Sequence, residues 1–432
     1  MPRLLLDLAP LRVSPDYRRL WGGMALAQVG SQLGATTVAL QVYDLTRSSF
    51  AVGLVGLVSF VPLVLLGLYG GALVDVHDRR VVAVWSSAAL LLVSAAMAAQ
   101  AWAHVGSAAV LLALVAVQSA AFAVNSPARS AIVPMLVPPA LLPAANALGS
   151  LAMTVGMTLG PLLAGVLVGR LGYQAAYTID VATLAVALWA VLRLPALPPA
   201  GVQHARAGLA SVLEGLRLVA RWPNVRMTFV LDLCAMVLAQ PRALFPAVGA
   251  VALGGGATTA GVLAASVALG SVLASLLSGP LGGVDRHGVA VAVCVAGWGA
   301  SVAAFGLVLA GASGPADGGL LDAAVPWGSP ALWGACAALA AAGAWDAVSS
   351  VFRNTVLQSA TPDHMRGRLQ GVFLVVVAGG PRLGDLVAGA QGEWLGEAGA
   401  ALAGGLACVV AVGLALRWQP AFLRYDARSP AP

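Results

Sequence analysis

The sequence contains no lysine: all 23 of its basic residues are arginine. A phosphate-binding loop needs a lysine, so the chain is no ATP motor by itself, and Schiff-base chemistry is excluded with it. Charge of either sign is scarce, with 9% of residues charged against 60% hydrophobic. That balance excludes a soluble fold. The four cysteines, Cys234, Cys294, Cys336 and Cys408, lie singly inside apolar runs, and the five histidines are scattered. Neither set has metal-ligand spacing, so the cysteines read as small core residues and no metal or cofactor is expected. The patterns HExxH, GxSxG and GxGxxG do not occur. An enzyme is not expected.

What is abundant is apolar length. Runs of about twenty residues recur, each long enough to cross the roughly 30 Å hydrocarbon core as a helix. They fall near 20–43, 50–74, 81–103, 107–126, 144–168, 173–194, 225–249, 258–283, 288–311, 330–352, 369–391 and 396–417. The first lacks a small-residue cleavage site after Tyr17-Arg18-Arg19 and reads as a retained helix. The expected fold is an all-α polytopic membrane protein of twelve transmembrane helices in two pseudo-symmetric six-helix bundles. Most arginines border alternate loops, Arg129 and Arg353 counted among them, while Arg47 and Arg170 stand on the opposite side. The positive-inside rule puts both termini in the cytoplasm, so the net charge of +6 reflects topology and calls for no nucleic acid. The expected divisions are 1–194, a linker over 195–224, 225–417 and a tail over 418–432. In the linker, Leu209, Val212, Leu213 and Leu216 recur at helical spacing and suggest an interfacial helix or one packed on the protein.

The two halves repeat. One offset carries Arg129 onto Arg353, Pro138 onto Pro362, and Gly156, Gly160 and Gly165 onto Gly380, Gly384 and Gly389 (353 − 129 = 224). An earlier landmark pair, Asp75 and Asp285, keeps a different offset because the Gly311–Ser329 loop is longer than its counterpart (285 − 75 = 210). Pro161 falls on Asp385, where the copies differ chemically. The stretch from Asn125, with its prolines, reads as a hinge leading into a glycine-notched helix.

The turn after the second span holds Gly71, Leu73, Asp75, Arg79 and Arg80, echoed by Asp285 and Arg286. It resembles the signature loop of the major facilitator superfamily, with Asp78 where a glycine is usual. Positive-inside arginines alone would account for Arg79 and Arg80, but not for the glycine, leucine and acid in register with them. Leu-Pro-Ala-Leu-Pro-Pro (194–199) and Thr-Pro-Asp-His-Met-Arg-Gly-Arg (361–368) resemble the branch of that superfamily that contains enterobactin exporters and macrolide efflux pumps. Gly156, Gly160 and Pro161, followed by Gly165, resemble the antiporter motif of the superfamily, though a glycine-rich packing face is the plainer reading of their spacing. The arginine that many members carry within the fourth helix is absent, with Gln118 and Asn125 as the polar residues there.

Ionisable residues within apolar spans cost several kcal/mol unless paired or wet. They are Asp180, Asp232, Arg242, Asp346, Arg382 and Asp385, with Asp180 and Asp346 expected in wet vestibules near helix ends. Arg382 and Asp385 stand i,i+3 on the eleventh helix and could pair, as a proton switch or as a static ion pair. Proton-coupling candidates are therefore Asp385, Arg382, Asp232 and Asp346. The fold implied by the resemblance turns Gln28, Gln32, Gln118, Asn125, Asp232, Arg242 and Trp345 towards a substrate cavity, and a cavity that sparsely polar suits a bulky amphipathic compound. The expected protein is a monomeric, lipid-embedded secondary transporter of a small molecule, exporting a siderophore or drug against protons. An importer on the same fold, a non-transporting receptor or scaffold, and a permease subunit with a partner ATPase are the alternatives.

Overall fold

The computed structural model describes residues 7–197, 217, 219–312, 319–321, 323–359 and 366–425. Most of the predicted linker helix, with Leu209 to Leu216, lies outside them, as do Pro362 and the Thr-Pro-Asp-His-Met run. Among the described residues the secondary structure is helical throughout. The helices are α1 (Ala9–Val13), α2 (Pro15–Thr46), α3 (Ser49–Val76), α4 (Arg79–Trp102), α5 (Ala108–Leu136) and α6 (Leu142–Leu192). After the linker come α7 (Pro223–Leu233), α8 (Gly256–Leu276), α9 (His287–Ala310), α10 (Pro330–Ser359) and α11 (Arg366–Trp418). Nine segments among the described residues are long and apolar enough to cross a membrane. Two of the nine contain a break, at Gly172 in α6 and Gly396 in α11. The 32-residue α2 is long enough too, but Gln28, Gln32, Gln41 and its serine and threonine residues dilute its apolar character.

Those two breaks carry the sequence repeat into the backbone. Gly172 has φ 78° and Gly396 has φ 70°, a left-handed conformation that L side chains rarely adopt, and the two are separated by the repeat offset (396 − 172 = 224). Each ends one helix and starts the next without a loop.

By contacts the chain forms two compact units, one of residues 1–45 and 58–208, the other of 46–57 and 209–432. The first residues of α3 thus count with the second unit. In the first unit α4 lies against both α5 and α6, around a core of Leu20, Val82, Ala128, Ile132 and Val191. In the second, α9 lies between α10 and α11, and Phe245 meets Phe305 edge to face at 6.2 Å.

Within a membrane, lipid solvates leucine as well as a protein core does, so close van der Waals approach must hold helices together. The repeated glycines provide it in both units. A methyl group on Gly156 would sit 2.6 Å from the Gln28 Cγ, and one on Gly160 would sit 2.5 Å from the Gln32 Cβ. In the second unit a methyl on Gly384 would strike the Met236 carbonyl and lie 2.7 Å from the Gln240 Cβ. Gln32 and Gln240 are therefore equivalent under an offset of their own (240 − 32 = 208). Gly384→Val is expected to lower the thermal midpoint of the purified protein by several degrees, with overpacking costing about 1–3 kcal/mol. Gly67→Val, where nothing lies within 4 Å, should leave it within about a degree of the parent.

Two helix boundaries differ from expectation. The α5 helix runs through Pro127 and Pro134 to Leu136, and α10 runs to Ser359, so Arg129 and Arg353 are helix residues and not loop residues. The expected hinge at Asn125 is helical. Close packing around Ala128 and Ile132 keeps the helix going past Pro127. The seventh span is not one helix either: α7 gives way to a π-helical turn (Cys234–Leu238), and the chain leaves helical geometry at Ala239 (φ −122°, ψ 36°) before Pro241. The Ala239 carbonyl accepts a hydrogen bond from the Trp298 indole at 3.0 Å. Asp232 and Arg242 therefore do not lie on one straight helix.

Candidate functional site

The second unit buries an ion triad. Asp232 lies near the end of α7, just before the π-helical turn, and Asp346 and Arg353 lie two turns apart on α10. The Arg353 guanidinium contacts the Asp232 carboxylate through Nη1 and reaches Asp346 Oδ1 through Nη2 at 3.2 Å. The side chains of Arg353 and Asp232 are 11% and 8% exposed, and that of Asp346 is 38% exposed. Two carboxylates against one guanidinium leave one net negative charge. The triad can therefore accept a proton without stripping Arg353 of its last partner, which a simple pair cannot do. Asp346 is its more exposed end and Asp232 its more buried end.

Asp232 and Asp346 were legible as unusual acids inside apolar spans. Arg353 was not, because an arginine at the edge of an apolar run reads as a loop residue until the helix is seen to continue.

In the first unit the equivalent arginine keeps different company. Asn125 Nδ2 donates to Ser86 Oγ at 2.9 Å and Ser87 Oγ at 2.8 Å, and Arg129 Nη2 donates to Ser87 Oγ at 3.1 Å. Asn125 is thus packed against α4, at 3% exposure. Asp180 corrects a second expectation. It is fully buried, accepts a 2.6 Å bond from Ser94, and lies where Gly30 and Gly34 let α2 come close, so it occupies no wet vestibule. Gln41 completes a buried network, accepting from Tyr177 at 2.8 Å and from Gln100 at 3.1 Å.

The other candidates are dispersed. Gln28 and Gln32 lie under the glycines of α6, and Gln118 is half-buried on α5. The Trp345 ring covers Gly297 of α9, so it packs between helices. Arg242 is exposed on a short 3-10 turn beyond the α7 break. Asp385 lies on α11 against Gly56, with Arg242 and Arg382 as the cations whose charge it feels, and its Oδ1 accepts no hydrogen bond among the described residues. Gly53 and Gly56 leave no room for a side chain against this stretch of α11. Pro161 and Gly165 are buried in α6.

At the turn between α3 and α4, Asp78 explains its own departure from the usual glycine. Its carboxylate caps α4 by accepting from the Arg80 amide at 2.8 Å and holds the Leu197 amide at 3.1 Å. Arg79 and Arg80 donate to the carbonyls of Ala131 and Leu192, at 3.1 and 2.8 Å. Leu73, Asp285 and Arg286 are exposed, and the side chain of Asp75 lies outside the described ones, as does Gly71. Asp78→Ala is expected to cost about 1–2 kcal/mol through the lost cap and lost Leu197 bond, lowering the thermal midpoint while leaving the pH dependence of transport unchanged. Tryptophan-fluorescence melting and a flux assay check both halves.

The model of the transmembrane secretion effector family, a family of major facilitator transporters, matches residues 6–429. The chain belongs to that family. As a member of the transmembrane secretion effector family it is a multi-pass membrane transport protein and not an enzyme, and its environment is lipid with a small-molecule substrate. It is 26% identical over 419 residues to the enterobactin exporter EntS of Citrobacter koseri, covering 95% of this chain and 93% of that one. To the enterobactin exporter EntS of Escherichia coli K12 it is 26% identical over 433 residues, covering 99% and 97%. Solved structures share the fold at low identity. A mutant of the nucleoside transporter NupG superposes with a TM-score of 0.74 at 14% identity, covering 94% of this chain and all of that one. A bacterial homologue of the lysosomal transporter Spinster gives 0.66 at 15%, covering 98% of each.

Proposed function

We propose that this protein is a proton-coupled exporter working by alternating access, with the Asp232–Arg353–Asp346 triad as its coupling site. The observation that carries the reading is the charge count of the triad: two acids share one arginine, so one proton can be taken up and released at small electrostatic cost. Protonation weakens the hold of one carboxylate on Arg353, and a coupling ion acts only through such a difference between states. The break in α7 directly after Asp232 supplies a segment whose backbone can rearrange when that hold changes. Asp385 with Arg382 is a second candidate for the same role.

The cargo is a siderophore or a bulky amphipathic drug. The enterobactin exporters among the relatives support the first, and the sparsely polar helices support both. Both termini are placed in the cytoplasm of a bacterial cell, on the asymmetry of the arginines, and the working unit is a monomer. In proteoliposomes without ATP, an imposed pH gradient is expected to drive accumulation of the substrate. A rate indifferent to the gradient would reject proton coupling. Culture medium from a knockout grown under iron limitation, compared with its parent, identifies the cargo: a missing siderophore names it, and an unchanged profile points to drugs.

A further inference from the structure

The start of α4 and the end of α6 read as near mirror images. The first begins Arg79-Arg80 and reaches Trp85; the second carries Trp189 and closes on Arg193. The two helices run side by side in opposite directions. Arg80 Nη2 donates to the Leu192 carbonyl at 2.8 Å, and further along Ser94 of α4 donates to Asp180 of α6 at 2.6 Å. At about 1.5 Å per residue, Trp85 lies roughly 7.5 Å along α4 from Arg80, and Trp189 roughly 6 Å back along α6 from Arg193. Both helices thus place a cation at the rim and an indole about one turn deeper.

Both indoles face outwards. Trp85 is 74% exposed and Trp189 50%, and the stripe continues with the exposed side chains of Leu92 and Val186. On a multi-pass membrane protein such a face meets acyl chains, and tryptophans mark the level of the headgroups. The two arginines above them are fastened without being neutralised. Arg80 is held by a carbonyl, and the Arg193 Cζ lies 5.8 Å from the centroid of the Trp189 ring. Neither of these partners carries a charge. The adjacent charges are engaged elsewhere: Arg79 donates to the Ala131 carbonyl of α5, and the Asp78 carboxylate accepts from the Arg80 and Leu197 amides. The second unit also stacks an arginine on a tryptophan, Arg226 on Trp418 at 4.4 Å. There, however, both terminal nitrogens donate within the protein, to the Ala220 carbonyl and to Gln419.

We propose that the rim of the α4–α6 seam binds an anionic phospholipid, with its phosphate between Arg80 and Arg193 and its acyl chains over Trp85 and Trp189. Arginine presents forked donors that match phosphate oxygens, and basic sites between transmembrane helices select anionic headgroups. The apolar stripe directly below the cations makes a lipid the occupant and not a free phosphate. This site belongs to the first unit and the triad to the second, so failure of either reading leaves the other standing.

The test uses the full-length purified protein in non-ionic detergent. Thermal unfolding is followed by tryptophan fluorescence while dioleoyl phosphatidylglycerol, dioleoyl phosphatidylcholine or inorganic phosphate is titrated in at constant ionic strength. Phosphatidylglycerol is expected to raise the midpoint saturably by several degrees, and the other two to leave it within about a degree. An arginine beside an anionic headgroup is worth roughly fivefold in affinity. Arg80→Gln combined with Arg193→Gln should therefore raise the half-saturating lipid concentration on the order of twentyfold. Arg80→Lys combined with Arg193→Lys keeps both charges and should cost only a few fold. Arg170→Gln, beside the Gly172 break at the other end of that segment of α6, should respond as the parent does. An equal rise with inorganic phosphate would mean a free-anion site, and an equal rise with phosphatidylcholine would mean ordinary lipid solvation. An undiminished response in the double Gln variant would place the lipid elsewhere. Each of these three results overturns the proposal, as does a parent midpoint that ignores phosphatidylglycerol.

Discussion

Asp232→Asn is expected to abolish pH-driven accumulation while leaving substrate exchange largely intact. The substitution removes one of the two negative charges around Arg353, so the triad becomes a neutral pair with Asp346. Protonating Asp346 would then leave a buried guanidinium without an acid, at a cost of several kcal/mol, or on the order of a hundredfold or more in proton occupancy. Accumulation driven by a pH gradient should fall by about that factor. Counterflow with equal pH on both sides needs no net proton movement and should fall less than about tenfold. Asp346→Asn should lose gradient-driven transport likewise, because the charge count is the same. Asp232→Glu keeps the count and should retain much of the gradient response. The pH profile of counterflow should flatten in both Asn variants. Gradient-driven flux that persists unchanged in Asp232→Asn would remove the triad as the coupling site and return attention to Asp385.

The helical class and the internal repeat could be read from the sequence because both rest on periodic, local signals. Apolar length gives the spans, and the offset of 224 between Arg129 and Arg353 reappears in the structure as the paired breaks at Gly172 and Gly396. The same reading erred where a polar residue lies at the edge of an apolar run. Hydropathy ends a span at the first cluster of polar residues, but α5 continues through Asn125 and Arg129 because their polar groups are met by Ser86 and Ser87 on α4. No window along the chain contains that information: Ser87 and Arg129 are 42 residues apart. Asp180 was misplaced for a related reason. Its only visible feature was nearness to a predicted helix end, whereas its burial depends on Gly30 and Gly34 of another helix. Asp385 stood out in the repeat by replacing a proline, but the contrast that organises side-chain contacts in the two units is elsewhere. At Arg129 and Arg353 one copy spends its arginine on a hydroxyl and the other on two acids.

Arg353→Met provides the sharpest measure of that contrast, through stability. Removing the guanidinium leaves Asp232 almost fully buried and without its cation, and breaking a buried ion pair in this way costs about 3–5 kcal/mol. Asp346 should add less to the loss, since its side chain is 38% exposed where that of Asp232 is 8% exposed. A second substitution therefore separates the two acids. Asp232→Asn in the Arg353→Met background removes the stranded charge and should recover most of the lost stability, whereas Asp346→Asn in the same background should recover less than about 1 kcal/mol. Denaturant unfolding of the three variants and the parent protein, followed by circular dichroism, measures the difference. Equal recovery by the two Asn substitutions would mean that both carboxylates are equally desolvated, and the reading of Asp346 as the more exposed acid of the triad would fail. In Arg129→Met the same substitution strands no acid among the described residues, so the loss should be far smaller than at Arg353, although both arginines occupy one position of the repeat.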